Sequence, residues 1–194
     1  MLEGGTVPPE VHSLALPFAG KRNASLMASY PNMGIFGGMV SESDSWGRVV
    51  DLRRPGYRPG ILYMLRGKDV DKARMATALM AEVWFAAGAK RVFTPIAGHY
   101  ELSGPRDLRR LERSRVRATD ILAMSAYHPL GTCRMGSDPE WSVVRHTCES
   151  WDVEGLYVCD GSVIPSSPGV NPQLTIMALA MRCAGSIDDR LSGS

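Results

Sequence analysis

The sequence predicts a mixed α+β/α/β fold: an antiparallel sheet with flanking helices, followed by a C-terminal strand–loop–helix of α/β type. Three observations predict it. Three short β-compatible runs stand between residues 34 and 66 on short polar connections, the layout of an antiparallel sheet. Two stretches with helically spaced apolar residues follow. The last third then changes character. A short continuous apolar run, Leu156-Tyr157-Val158-Cys159, ends on Asp160-Gly161 and leads through a Pro/Ser/Gly-rich loop to a long apolar helix.

Residues 1–33 contain four prolines, several glycines and little periodicity, and are expected to be loops. The strand candidates are Gly34–Val40, Arg48–Arg53 and Ile61–Arg66. Ser41-Glu42-Ser43-Asp44-Ser45 makes the first turn, and Pro55, Gly56, Pro59 and Gly60 set off the third strand. Asp69–Ala87 repeats Val70, Ala73, Ala76, Met80, Val83 and Trp84 at helical spacing, with Gly88 where a C-cap glycine belongs. Pro105 opens a second helix, expected to run to about Met124 with Leu108 and Leu111 on one side. Leu156–Cys159 reads as a strand covered on both faces. Leu174–Arg190 is apolar nearly all round until Arg182, so its first half is expected to be buried.

Composition excludes several function classes. At 44% hydrophobic and 22% charged, the chain is of ordinary globular type, and its net charge of +2 favours neither nucleic acid nor an acidic partner. Arg106, Arg109, Arg110, Arg113, Arg115 and Arg117 cluster, but acidic residues are interspersed and no aromatic lies among them to stack a base. A solvated helix face is expected, with no nucleic-acid partner. No apolar run reaches the roughly 18–20 residues of a membrane span. The N-terminus carries no secretory signal, and the location is expected to be cytoplasmic. Cys133, Cys148, Cys159 and Cys183 contain no CxxC pair. Reduced, buried thiols are expected, with no metal site.

Chemistry concentrates in the last third. Asp160 sits at the carboxyl end of the expected 156–159 strand, where ligands lie in open α/β sheets. Its carboxylate can accept hydrogen bonds from a polyol, and Gly161 lets backbone approach closely, although Asp-Gly is also a plain turn. Asn171-Pro172 starts the apolar helix. There Asn171 serves as a simple cap, or the helix N-terminus stabilises an anion placed before it. His128, held between helix and loop by Pro129 and Gly131, is the sharpest histidine, structural or catalytic. A Cys/His nucleophile pair of His128 with Cys133 is a further reading without an orienting third group.

Tyr127-His128-Pro129-Leu130-Gly131-Thr132-Cys133-Arg134-Met135-Gly136 resembles the histidine motif of the glucose–methanol–choline (GMC) oxidoreductases. Gly155 to Pro165 and Gly169 to Ala178 look like that family's two further C-terminal segments, in the same order. Ser45-Trp46-Gly47-Arg48-Val49 resembles the start of its substrate-domain sheet. The likeness is dense over about 125–187 and looser over about 40–124.

The resemblance implies an FAD enzyme that oxidises a small-molecule alcohol to a carbonyl by hydride transfer to flavin. His128 falls on the family's active-site histidine and Asn171 on its His-or-Asn partner. Asp160, Gly161, Asn171, Pro172, Gln173 and Thr175 fall on positions that touch the flavin. It also divides the chain into an irregular segment (1–33), a substrate-binding and catalytic region (34–150), and a strand and helix contributing to the FAD site (151–194). The family's strand–GxGxxG–helix unit, which holds the ADP part of FAD, has no counterpart here. The expectation is therefore an FAD-binding α/β domain whose Rossmann half is absent, supplied by a separate or fused N-terminal half. Alone the chain is expected to bind FAD weakly or not at all and to be inactive. The competing reading is a non-catalytic remnant or partner-binding domain whose motifs persist as packing.

Overall fold

The computed structural model describes residues 1–51 and 58–193. The chain forms two compact units. One comprises Met1–Trp46 and Tyr63–Ser125, the other Gly47–Leu62 and Ala126–Ser194.

In the first unit, β1 (Leu2–Gly5) pairs antiparallel with β2 (Ile35–Gly38), Leu2 standing opposite Gly38. Between them lie α1 (Pro9–Ala15), α2 (Gly20–Met27) and a 3-10 turn at Tyr30–Asn32. The expected loops of 1–33 are thus corrected to a strand and two helices. At seven and eight residues the helices are shorter than the window in which periodicity shows. Pro9, which reads as a loop residue, starts α1 at a position where proline suits a helix. Asn23 fastens α2 to α1 by donating to the Ser13 and Phe18 carbonyls and accepting from the Ser13 hydroxyl.

β3 (Trp46–Val50) pairs with β4 (Gly60–Met64) in a separate two-stranded sheet. The expected single three-stranded sheet does not form. β2 is taken by β1, a partner with no strand signal of its own, and the turn between β2 and β3 is tied elsewhere. Positions 52 and 53 of the expected second strand, and Pro55 and Gly56, lie outside the described residues.

The tie is Asp69, in the first turn of α3 (Gly67–Ala86) and only 1% exposed. Its carboxylate accepts from the backbone N–H groups of Ser43, Asp44 and Ser45 and from the hydroxyls of Ser43 and Ser45, at 2.7–3.4 Å. The Lys72 ammonium donates to it at 2.9 Å. Burial alone raises a carboxyl; here the Lys72 ammonium and the Asp44 and Ser45 donors override it and hold Asp69 far below the usual range.

The core of this unit is built on α3. Val70, Thr77, Ala78 and Ala81 share its buried face. Ala78 and Ala81 pack with Val92, Ile96, Leu102 and Leu111, flanked by Trp84, Phe85 and Leu108. Gly88 ends the helix with φ +90°. Gly88 N–H donates to the Phe85 carbonyl and Ala89 N–H to that of Trp84, a Schellman end. β5 (Val92–Phe93) then pairs antiparallel with β6 (Glu101–Leu102).

α4 spans Pro105–Arg113, not to Met124. The Ser114 N–H and hydroxyl both turn back to the Leu111 carbonyl and Ser114 goes extended, which closes the helix. A 3-10 turn at Ala118–Asp120, locked by Arg117 and Asp120, redirects the chain so that Ile121 bridges Ile96. Leu111 and Leu108 face the core as expected, and the arginine cluster is solvent-exposed.

The second unit is largely irregular backbone around a small core of Val144, Cys148, Val163, Ile164 and Cys183. Single bridges join Met135 to Val144, Val144 to Ser150 and Glu149 to Tyr157. Leu156–Cys159 is corrected from a doubly covered strand to a segment laddered on one edge only. Tyr157 bridges Glu149, and Leu156 is half exposed. An apolar run becomes a doubly covered strand only when packed elements cover both its faces, and here Leu156 and Cys159 stay exposed. α5 (Gln173–Ser192) closes the unit. Its first half is not buried: Leu174 is 80% exposed, and Met177 and Met181 more than half. No helix among the described residues is long and apolar enough to cross a membrane.

Candidate active site

The site lies wholly in the second unit and is assembled from three stretches of backbone. Gly131 takes φ +77°, and a Cβ there would meet the Ile164 carbonyl oxygen at 3.4 Å. Only glycine takes this conformation without strain. The turn sends the chain alongside the Asp160 stretch, where Cys133 N–H donates to the Ser162 carbonyl at 3.0 Å and Met135 N–H to that of Val163 at 2.8 Å. Those two bonds set the register between the histidine segment and the Asp-Gly segment. Gly161 makes the closest approach: a Cβ on it would lie 3.2 Å from both Leu130 and Ile176 and 3.5 Å from the Pro129 carbonyl oxygen. Leu130 from the first stretch and Ile176 from α5 therefore meet over Gly161.

This packing brings His128 to Asn171. The imidazole Nε2 lies 3.0 Å from the Asn171 side-chain oxygen, across 43 residues of sequence. An amide oxygen only accepts, so Nε2 is the donor in this contact. Both residues are exposed, as is Tyr127 beside them. The expectation that Asn171 simply caps α5 is corrected: buried Pro172 occupies the N-cap position instead of the first helical one, and the N-cap makes no side-chain hydrogen bond. The Asn171 amide is engaged by His128. The pairing of His128 with Cys133 gains no support either, because no hydrogen bond joins the two side chains among the described residues.

Asp160 caps a 3-10 turn (Gly161–Val163), accepting from Ser162 N–H at 2.7 Å. The hydrogen bonds from Ser162 hold its carboxyl below the usual range despite partial burial. It is an exposed carboxylate, charged at neutral pH. Gln173 and Thr175 stand exposed in the first turn of α5. Sequence reasoning missed three supports of the site: Ser162, which fixes Asp160, and Leu130 and Ile176, which clasp Gly161. No sequence signal marked the clasp, because Gly161 is flanked by Asp160 and Ser162 and its partners Leu130 and Ile176 are remote in sequence. No group of His, Cys, Asp or Glu suited to a metal ion occurs among the described residues.

An exposed imidazole–amide pair, an exposed carboxylate and a helix start are groups that can serve polar small-molecule chemistry. A family model described as GMC oxidoreductase, for the C-terminal region, matches residues 44–180, and the chain belongs to the GMC oxidoreductase family. It is 32% identical over 185 residues to an uncharacterized GMC-type oxidoreductase of Mycobacterium tuberculosis, covering 95% of this chain and 28% of that protein. It is 47% identical over 64 residues to a long-chain-alcohol oxidase of Arabidopsis thaliana (33% of this chain, 9% of that one). It is also 47% identical over 66 residues to a 2-methyl-1,2-propanediol dehydrogenase of Mycolicibacterium austroafricanum (34% and 12%). The chain thus spans about 28% of the length of the mycobacterial relative it matches nearly end to end.

Proposed function

We propose that this chain is the substrate-side and catalytic portion of an FAD-dependent alcohol oxidoreductase, with His128 and Asn171 acting on the alcohol. The His128–Asn171 contact carries the reading, because it joins two motifs 43 residues apart in sequence. The names of the alcohol-acting relatives support the substrate class.

Loss of hydride from an alcohol carbon is favoured when the hydroxyl proton is removed in the same process. His128 accepts that proton at a ring nitrogen, and Asn171, whose side-chain oxygen lies 3.0 Å from Nε2, orients the imidazole and hydrogen-bonds the alcohol oxygen placed beside the pair.

The residues present suit a flavin. The Asp160 carboxylate offers acceptors to the hydroxyls of a ribityl or ribose chain. The start of α5, set by Asn171 and Pro172, offers the N–H groups of Gln173 and Thr175 and a partial positive charge. Gly161 contributes backbone, since the space beside it is filled by Leu130 and Ile176. A flavin, when bound, supplies the hydride acceptor. Because the chain spans a minor part of its relatives, the ADP-binding strand–GxGxxG–helix half is assigned to a separate or fused segment.

The test is to add FAD to the purified chain, alone and with that half. Weak binding by the chain alone, and alcohol-dependent flavin bleaching once the half is supplied, support the proposal. A stoichiometric yellow complex of the chain alone contradicts the assignment of FAD binding to two halves. Absence of bleaching with the half present and flavin bound favours the non-catalytic remnant.

A further inference from the structure

We propose that the arginine face of α4 docks the chain on an anionic phospholipid surface, as a peripheral contact that does not enter the bilayer. Nothing in the alcohol chemistry uses this face.

Four of the nine residues of α4 are Arg106, Arg109, Arg110 and Arg113. At i, i+3, i+4 and i+7 they share one side of the helix, with neighbours about 5–6 Å apart over an axial length of about 10 Å. The other side is held in the core by Leu111, which has no solvent exposure, and by Leu108. The stripe is therefore fixed outward. All four arginines are exposed, as is Arg115 just beyond the helix.

Counter-charge is missing. Arg117 pairs with Asp120, but among the described residues Arg106, Arg109, Arg110, Arg113 and Arg115 make no ion pair. Asp107 is turned to Ser103, whose N–H it accepts at 2.9 Å. Like charges three or four residues apart repel and weaken their own helix. That repulsion acts between Arg106 and both Arg109 and Arg110, and between Arg113 and the same two. The whole chain carries a net charge of only +2, so the positive field is local to this face. An external anionic surface relieves the repulsion.

The make-up of the face selects the anion. Guanidinium forks donate in pairs to phosphate and carboxylate oxygens. A protein interface is anchored by apolar or aromatic side chains at its buried centre, and single-stranded nucleic acid stacks its bases on aromatics. The stripe has neither, since the two leucines of α4 face inward. An anionic bilayer requires no such anchor. Its headgroups move laterally to meet each fork, and about four to eight basic residues on one helix suffice. Without an apolar residue in the stripe, the helix rests on the headgroups and is not inserted.

The experiment sediments the purified full chain with vesicles of phosphatidylcholine alone and of phosphatidylcholine mixed with phosphatidylserine. Binding is expected only to the mixed vesicles, and it falls as salt rises and screens the charges. Each arginine near the surface contributes about fivefold in partition, so Arg106→Gln, Arg109→Gln, Arg110→Gln and Arg113→Gln together should lower it by about 600-fold. A control removes the same charge elsewhere, by Lys21→Gln, Arg48→Gln, Lys68→Gln and Lys90→Gln, all at exposed positions. The control should keep most of the binding. If the fourfold α4 variant does not fold, Arg109→Gln alone, expected to lose about fivefold, decides. Equal binding to the two vesicle types, an equal loss in the control, or a preference for duplex DNA or polyglutamate over the mixed vesicles at the same salt overturns the proposal.

Discussion

Asp69→Asn is expected to destabilise the first unit by about 2–3 kcal/mol, close to the value of one hydrogen bond to a charged group. Asp69 Oδ1 accepts from Lys72 and Ser43, and Oδ2 accepts from Ser43, Asp44 and Ser45 N–H and the Ser45 hydroxyl. An amide keeps the shape and one acceptor oxygen. In its better orientation the oxygen takes the Oδ2 place and serves Asp44 and Ser45, while its NH2 faces the Lys72 ammonium, donor against donor. The loss is therefore the charge-assisted Lys72 bond, with most loop bonds kept. Asp69→Ala removes every acceptor at a fully buried position and is expected to cost about 3–5 kcal/mol. For a chain of this size the Asn variant should melt roughly 4–12 °C lower. Urea or thermal unfolding followed by Trp46 and Trp84 fluorescence measures it. The acid limb gives the sign. Asp69 is held far below its ordinary value, so its contribution is present above about pH 4, the unfolded value, and is lost as pH falls toward the folded one. The gap between wild type and Asn should therefore narrow on acidification below about pH 4. A difference below about 1 kcal/mol at neutral pH, or a gap that widens in acid, refutes the reasoning.

Three further outcomes follow from the same geometry. Gly161→Ala forces a methyl against Leu130 and Ile176 at 3.2 Å; about 1–2 kcal/mol of stability should be lost, and crosslinking or NMR should report a weakened His128–Asn171 contact. Leu111→Ala, at a position with no solvent exposure in the α3–α4 core, should cost about 2–5 kcal/mol in urea unfolding. Burial, then the Arg110 charge, lowers the His99 imidazole, against the pull of Asp107. The folded state then binds fewer protons than the unfolded one, so stability attributable to His99 falls as pH drops through about 6.5, and His99→Gln should flatten that slope.

The long helices were legible because their apolar periodicity and glycine stops are local. α3 was placed to within two residues at its start and one at its end. α1 and α2 were not, since at seven and eight residues they are shorter than the window in which periodicity shows, and Pro9 reads as a break. Sheet pairing failed where it depended on a remote partner: β2 is claimed by Leu2–Gly5, and no property of either segment names the other. The burial of α5 was misjudged for a related reason. An apolar helix surface states a preference for cover, but Leu174 and Met181 stay exposed where no described residue covers them. In the site, the order of the motifs pointed to His128 and Asn171, whereas the Leu130–Gly161–Ile176 clasp that joins their segments exists only in three dimensions.

The central claim rests on His128 as the group that takes the alcohol proton. The direct measurement is the anaerobic rate of flavin reduction by alcohol, with His128→Ala compared against wild type, both carrying the FAD-binding half and equal amounts of bound flavin. Loss of a positioned general base should slow that step by about 100-fold or more while leaving flavin content unchanged. Undiminished flavin reduction in the His128→Ala protein would contradict the account.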